Sequence, residues 1–196
     1  SGWLARRPVI RLAMVLSEAA VREDLALTYR LCHKLGFNEG VCNHLTALIP
    51  GRHDQFLVIP YGLLWSEVTS EKLLLVDSEG KILAGKGEVE ITAFEIHRAI
   101  HLADPQRYAV VLHTHMPYST ALCCVQNSSG LPLQMCHQNS LRFWDDVAYD
   151  PAFNGLVHNP KEGQRLAAAL NGKLVLLHRN HGVIVCGRSV AEAFDD

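Results

Sequence analysis

The sequence predicts an α/β fold in which helices pack on a mixed sheet. Three observations carry this. Short apolar runs bounded by turn residues crowd the first 85 positions and read as hairpin strands. From residue 91 onward apolar strand-like runs alternate with helical periodicity. The composition, 48% hydrophobic and 19% charged over 196 residues, allows one substantial core and is short for two.

The elements follow in order. Residues 17–36, "SEAAVREDLALTYRLCHKLG", repeat apolar side chains at a period near 3.6, and Gly36 sits where such a helix stops. The preceding "SGWLARRPVIRLAMVL" reads as a lead into that amphipathic helix. A signal peptide fits less well, because Arg11 and Glu18 break the apolar stretch and no cleavage site follows. "LTALIPG" and "QFLVIPYG" read as two strands joined by the polar "GRHD". "EKLLLVDSEGKILAG" reads as a hairpin turning at Ser78, Glu79 and Gly80. In "ITAFEIHRAIHLADP", Thr92 followed by Glu95 predicts a capping box and a helix to about Leu102, ended by Asp104-Pro105. "YAVVLHTH" predicts a strand and "STALCCV" a helix after it. "KEGQRLAAAL" predicts a helix stopped by Asn171-Gly172. "KLVLLHRNHGVIVCG" predicts strand, turn at Asn180 to Gly182, and strand. No linker or repeat divides residues 1–196, so a single domain is expected. The closing "SVAEAFDD" reads as the first turns of a helix, so a C-terminal truncation of that domain is expected as well.

The net charge of −2 and the lack of any block of like charges argue against nucleic acid or an anionic membrane as the partner. No apolar run approaches the roughly 18 residues of a membrane span. The six cysteines, Cys32, Cys42, Cys123, Cys124, Cys136 and Cys186, form no C-x-x-C pair. Reduced, mostly buried thiols and a cytoplasmic setting are expected from that pattern.

The histidines carry the chemistry. In "VVLHTHMPY" His113 and His115 are two apart on a strand, so they face the same way, about 6–7 Å apart at the backbone. In "LVLLHRNHGVIV" His181 sits at a turn beside Gly182, whose missing side chain permits close approach. Together they offer three imidazole nitrogens and leave a coordination position open, as in a catalytic metal site. Three hydrogen-bonded core histidines remain the other reading of the same pattern. A rival pair, His97 and His101, shares a helix face at i, i+4 without the carboxylate of an H-E-x-x-H motif. His97 is expected to pack near the site or to hydrogen-bond. His44 and His137 are singled out as members of polar loops able to face it.

"VVLHTHMPYSTAL" and "LLHRNHGVIVCGRSVAEAF", with "CNHLTALIPG", "IPYGLLWSEVT" and "ITAFEIHRAIHLADPQRYAVVLHTH", resemble the class II aldolase/adducin family from about residue 20 to the end. The resemblance implies a three-layer α/β/α fold with a mixed, largely antiparallel central sheet. It implies Zn²⁺ or another divalent cation on His113, His115 and His181. It also implies a homo-oligomer, a site near a subunit boundary, and cleavage or formation of a carbon–carbon bond beside a carbonyl. The physical logic stands on its own: breaking such a bond leaves negative charge that a cation stabilises as a Lewis acid.

This sequence also departs from the pattern. Aldolases of the family carry S-S-E or S-S-D before the helix leading to the H-x-H strand. Anchored on His97, the stretch here is Ile91-Thr92-Ala93, so the acidic position holds Ala93. Glu88, Glu90 and Glu95 lie close by, with Glu95 accounted for as a cap. The G-N-x-S and T-P-S-G phosphate loops correspond to Cys42-Asn43-His44-Leu45-Thr46 and Ile59-Pro60-Tyr61-Gly62. Asn43, Thr46, Gly62 and Thr92 are left as substrate-binding candidates. Tyr61 replaces a small hydroxyl residue and argues against a sugar phosphate. Proton transfer is expected from Tyr149, Tyr118, Asp145 or a neighbouring subunit. Two functions compete on this basis. One is a lyase acting on a small hydroxylated, unphosphorylated carbonyl compound. The other is a catalytically inactive adducin-like module binding actin-associated cytoskeletal partners.

Overall fold

The computed structural model describes residues 17–125, 130, 132–155 and 160–196. The lead before Ser17 lies outside them. Helix α1 spans Glu18–Lys34, and the Ser17 hydroxyl caps it by accepting from the Ala20 amide. Four strands follow: β1 His44–Leu48, β2 Gln55–Val58, β3 Leu74–Asp77 and β4 Ile82–Ala84. Then come α2 Ile91–Ala103, β5 Val110–Thr114, α3 Pro117–Cys124, α4 Gln138–Leu141 and β6 Val147–Asp150. The chain closes with α5 Pro160–Leu170, β7 Val175–His178, β8 Gly182–Gly187 and α6 Val190–Asp195.

The eight strands form one sheet in the order β4-β3-β2-β1-β5-β8-β7-β6. Every pairing is antiparallel except β6 with β7. The β1, β2 and β5 strands are buried nearly throughout, because helices cover both faces. On one face α1 and α6 pack on Leu45, Ala47, Leu57, Val110 and Leu112. On the other, α2 and α5 pack on Val111, Leu176 and Ile184. The α/β expectation is met, with helices on both faces of a mixed and largely antiparallel sheet. No helix among the described residues is long and apolar enough to cross a membrane.

Several local expectations change. Thr92 does not cap α2: Glu90 is the N-cap, its Oε2 accepting from the Ala93 amide at 2.7 Å. A longer side chain two residues earlier does the work assigned to the threonine. Glu95 is likewise no cap; it is buried and pairs with Arg98 at 3.2 Å. All six cysteines are free, but Cys42, Cys124 and Cys136 are exposed, so only half are buried. The adjacent pair divides: one side of α3 takes Cys123 into the core and turns Cys124 outward.

Candidate metal centre

Backbone register brings the site together. Strand β5 is central, flanked by β1 and β8, and pairs His113 with His44 on one side and with Ile184 on the other. Strand alternation sends His113 to the face covered by α2, and His115 follows two residues later, just past the strand. The turn between β7 and β8 delivers His181. Asn180 there adopts φ +55°, which asparagine tolerates. Gly182 permits the approach: a Cβ in its place would lie 2.6 Å from the Thr114 carbonyl oxygen and 2.8 Å from the His115 ring.

The three rings lie with centroids 4.7 Å (His113–His181), 5.0 Å (His113–His115) and 5.0 Å (His115–His181) apart. One nitrogen from each falls within 4.8 Å of the others. The hydrogen bonds identify which nitrogen. His113 Nδ1 is 3.0 Å from the Val183 carbonyl oxygen, and His115 Nδ1 is 2.7 Å from a Glu39 carboxylate oxygen. A carbonyl oxygen and a carboxylate oxygen only accept, so each Nδ1 donates and each Nε2 is left bare. His181 Nδ1 is 2.9 Å from His178 Nδ1, and His178 Nε2 lies 3.1 Å from the Ala152 carbonyl oxygen and 3.2 Å from Asp150 Oδ2. His178 therefore donates through Nε2 and accepts through Nδ1. His181 donates through Nδ1 and also keeps a bare Nε2. Buried Nε2 atoms of His113 and His115 have no hydrogen-bond partner. An orphaned buried lone pair is costly unless something is meant to meet it. Three bare Nε2 atoms with outer acceptors behind them fit a divalent cation.

Electrostatics supports the neutral state that ligation requires. Burial pushes His181 down to about 4, helped by repulsion from His178 and His115. Burial and the neighbouring rings hold His113 far below the ordinary imidazole range. The outer acceptors are themselves anchored: Arg165 bonds Asp150 through both terminal nitrogens, at 2.9 and 2.7 Å, and Glu162 at 2.7 Å.

The triad opens on a cleft of about 630 Å³ whose wall includes Glu39, His44, Glu90, Thr92, Phe153 and Asn180. Among the substrate-binding candidates, Thr92 lines this cleft. Asn43 and Gly62 lie in an adjoining recess beside Tyr61, with Asn43 Oδ1 accepting from the Glu39 amide at 2.7 Å. Thr46 is corrected: it is fully buried, its hydroxyl 2.6 Å from His97 Nδ1 and 2.7 Å from His101 Nε2. No surface of it is left for a ligand. The proton-transfer candidates lie away from this cleft. Tyr118 is 89% exposed on α3 and Tyr149 packs against the core from β6; neither lines the cleft of its own chain. Asp145 is paired with Lys173 at 2.9 Å. His137 caps α4, and His44 sits on β1 rather than in a loop.

Sequence reasoning passed over Glu39, His178 and Asp150, and left Glu90 without a role. One signal was present: Thr46 and His44 alternate with apolar residues on β1, at the same spacing that marks His113 and His115 on β5. Glu39 comes from a loop, and Asp150 and His178 end strands β6 and β7, so their pairings depend on how remote elements meet, which no spacing rule reaches.

Residues 23–196 match the family described as Class II Aldolase and Adducin N-terminal domain. The chain belongs to this family. An aldolase II superfamily protein from Pseudomonas syringae superposes with a TM-score of 0.83 at 32% identity, over 91% of this chain and 70% of that one. An L-fuculose 1-phosphate aldolase from Glaciozyma antarctica superposes with a TM-score of 0.78 at 30% identity, over 90% of this chain and 67% of that one. An adducin-related protein of Schizosaccharomyces pombe is 34% identical over 184 residues, covering 90% of this chain. The chain spans 55% of that relative's length.

Proposed function

We propose that the chain is a metal-dependent, aldolase-like lyase domain acting on a small hydroxylated, unphosphorylated carbonyl compound. His113, His115 and His181 would hold the cation through Nε2. The observation that supports this most is the set of three bare Nε2 atoms, each with its Nδ1 committed to an outer acceptor. A cation of the zinc type bound there supplies Lewis acidity toward a carbonyl oxygen.

The chain's own residues do the rest. Glu39 and His178 keep two ligands in the required tautomer. The Thr92 hydroxyl stands at the cleft wall to orient a polar ligand. Glu90 stands there too, three residues before Ala93, and in this reading its carboxylate moves the proton. Tyr61, 57% exposed, stands where the family resemblance has a small hydroxyl residue, and in this reading its presence disfavours a phosphate there. We further propose a homo-oligomer in a cytoplasmic setting, with residues 1–196 as one head domain.

The adducin-related relative and the alanine at position 93 favour a second reading, an inactive module binding actin-associated partners. Elemental analysis and a retro-aldol screen separate the two. The lyase reading expects about one zinc per chain and turnover among unphosphorylated sugars. Zinc without turnover on either sugar set favours the binding module. Turnover confined to sugar phosphates overturns the role given to Tyr61, and no metal after zinc add-back overturns the metal site.

A further inference from the structure

A buried chain of polar groups runs from the cleft into the sheet. His44 Nδ1 is 2.7 Å from His97 Nε2, and His97 Nδ1 is 2.6 Å from Thr46 Oγ1. Thr46 Oγ1 is 2.7 Å from His101 Nε2, and His101 Nδ1 is 2.6 Å from the carbonyl oxygen of Tyr108. His44, Thr46, His97 and His101 are each 5% exposed or less.

The carbonyl at the far end sets the direction of every bond. A carbonyl only accepts, so His101 donates through Nδ1 and its Nε2 carries a lone pair. The Thr46 hydroxyl donates to that lone pair and accepts from His97 Nδ1. His97 Nε2 is then bare and accepts from His44 Nδ1. His44 is left with a bare Nε2. That atom has no hydrogen-bond partner among the described residues, and the His44 side chain lines the same cleft as His115 and His181. Its ring lies 5.0 Å from that of His113. It stands outside the group of three whose nitrogens can share an ion.

We propose that His44 is the cleft's fixed hydrogen-bond acceptor for a ligand hydroxyl, its Nε2 kept bare by the buried chain that ends on the Tyr108 carbonyl. This deepens the reading of the cleft as a site for hydroxylated carbonyl compounds, and rests on it. His97, Thr46 and His101 are positioning residues: they touch no ligand and act only through the tautomer of His44. A site built to accept from a hydroxyl discriminates strongly against an analogue lacking one, because a buried lone pair is then left unmet.

The test uses the full chain, zinc-loaded and metal-free, with ¹⁵N-labelled histidine. Long-range proton–nitrogen correlations report the tautomer of each ring, and 1,3-dihydroxyacetone is the probe ligand. The expected result is Nδ1–H on His44, His97 and His101 with or without zinc. Dihydroxyacetone should shift the His44 Nε2 resonance in the zinc-loaded protein. Thr46→Val should leave zinc content unchanged, mix the His44 tautomers and weaken dihydroxyacetone about fivefold, the worth of one ordinary hydrogen bond. Thr46→Ser should restore both. Nε2–H on His44 overturns the chain. No Nε2 shift at saturation, no binding, or equal affinity in wild type and Thr46→Val overturns the acceptor role. Failure of every form to hold zinc overturns the metal reading instead, and the tautomer measurement, which needs no metal, still decides the chain. That measurement on wild type alone also stands if a variant fails to fold.

Discussion

His113, His115 and His181 work as ligands only while each keeps a bare ring nitrogen, so the groups behind them matter almost as much as they do. His178 makes the point. No spacing motif in the sequence marks it. In the structure it donates to the Ala152 carbonyl and accepts from His181, fixing which nitrogen of His181 is bare. His113→Ala should abolish stoichiometric zinc binding. His178→Ala should retain one zinc but weaken it about 10–100-fold, the usual cost of losing an outer partner. Zinc competition against a chromophoric chelator measures both. Equal loss in the two variants would mean that His178 is itself a ligand and the triad is wrongly drawn. Thr46 teaches the converse lesson: a hydroxyl in the right stretch of sequence was expected to touch substrate, and burial turned it inward onto two histidines.

Much of the element order was legible because periodicity records burial. The period of α1, the hairpin around Gly80 and the Asn171-Gly172 stop each register in a few consecutive residues. The H-x-H and N-H-G spacings were legible for the same reason, since β5 and the β7–β8 turn place their ligands by local backbone geometry alone. What was not legible depends on pairing between remote elements. The link between β6 and α5 is one such case. Asp150 is 3% exposed, and Arg165 reaches it from α5 while also holding Glu162. Burial alone would raise the Asp150 carboxyl, yet Arg165, the Ala152 amide and His178 bring it below its ordinary value. Arg165 also lowers Glu162. A carboxyl depressed in the folded state stabilises the fold above its unfolded pKa of about 4, and that contribution fades as pH falls through the lowered value. Arg165→Met should therefore cost about 3 kcal/mol at pH 7, the scale for breaking a largely buried pair. The gap from wild type should narrow below about pH 4. Urea unfolding at pH 7 and at pH 3.5 tests this, and a pH-independent gap would assign the loss to packing of the arginine stem.

The triad also sits at a mechanically central place in the whole molecule. Its ligands come from the end of β5 and from the turn into β8, neighbouring strands in the middle of an eight-stranded sheet. Strand β1, carrying His44, lies on the other side of β5. The two helical layers meet the sheet on opposite faces of these same strands. A cation held there ties together strands that must all separate for the protein to unfold, and the unfolded chain presents no such preformed triangle of nitrogens. Binding should thus couple to global rather than local stability. At free zinc one hundred times the dissociation constant, the coupling amounts to about 2.7 kcal/mol. For a chain of this size each kcal/mol moves the midpoint by roughly 2–4 °C, so zinc should raise Tm by about 5–10 °C. Scanning calorimetry of metal-free and zinc-loaded protein reads the shift directly, and His113→Ala should remove it. A full shift surviving in His113→Ala would locate the stabilising zinc elsewhere on the molecule. The absence of any shift in wild type, with zinc bound, would mean that the unfolded chain binds the ion as well as the folded one does. The backbone would then confer no preorganisation on the three histidines, contrary to the tautomers that Val183, Glu39 and His178 impose on them.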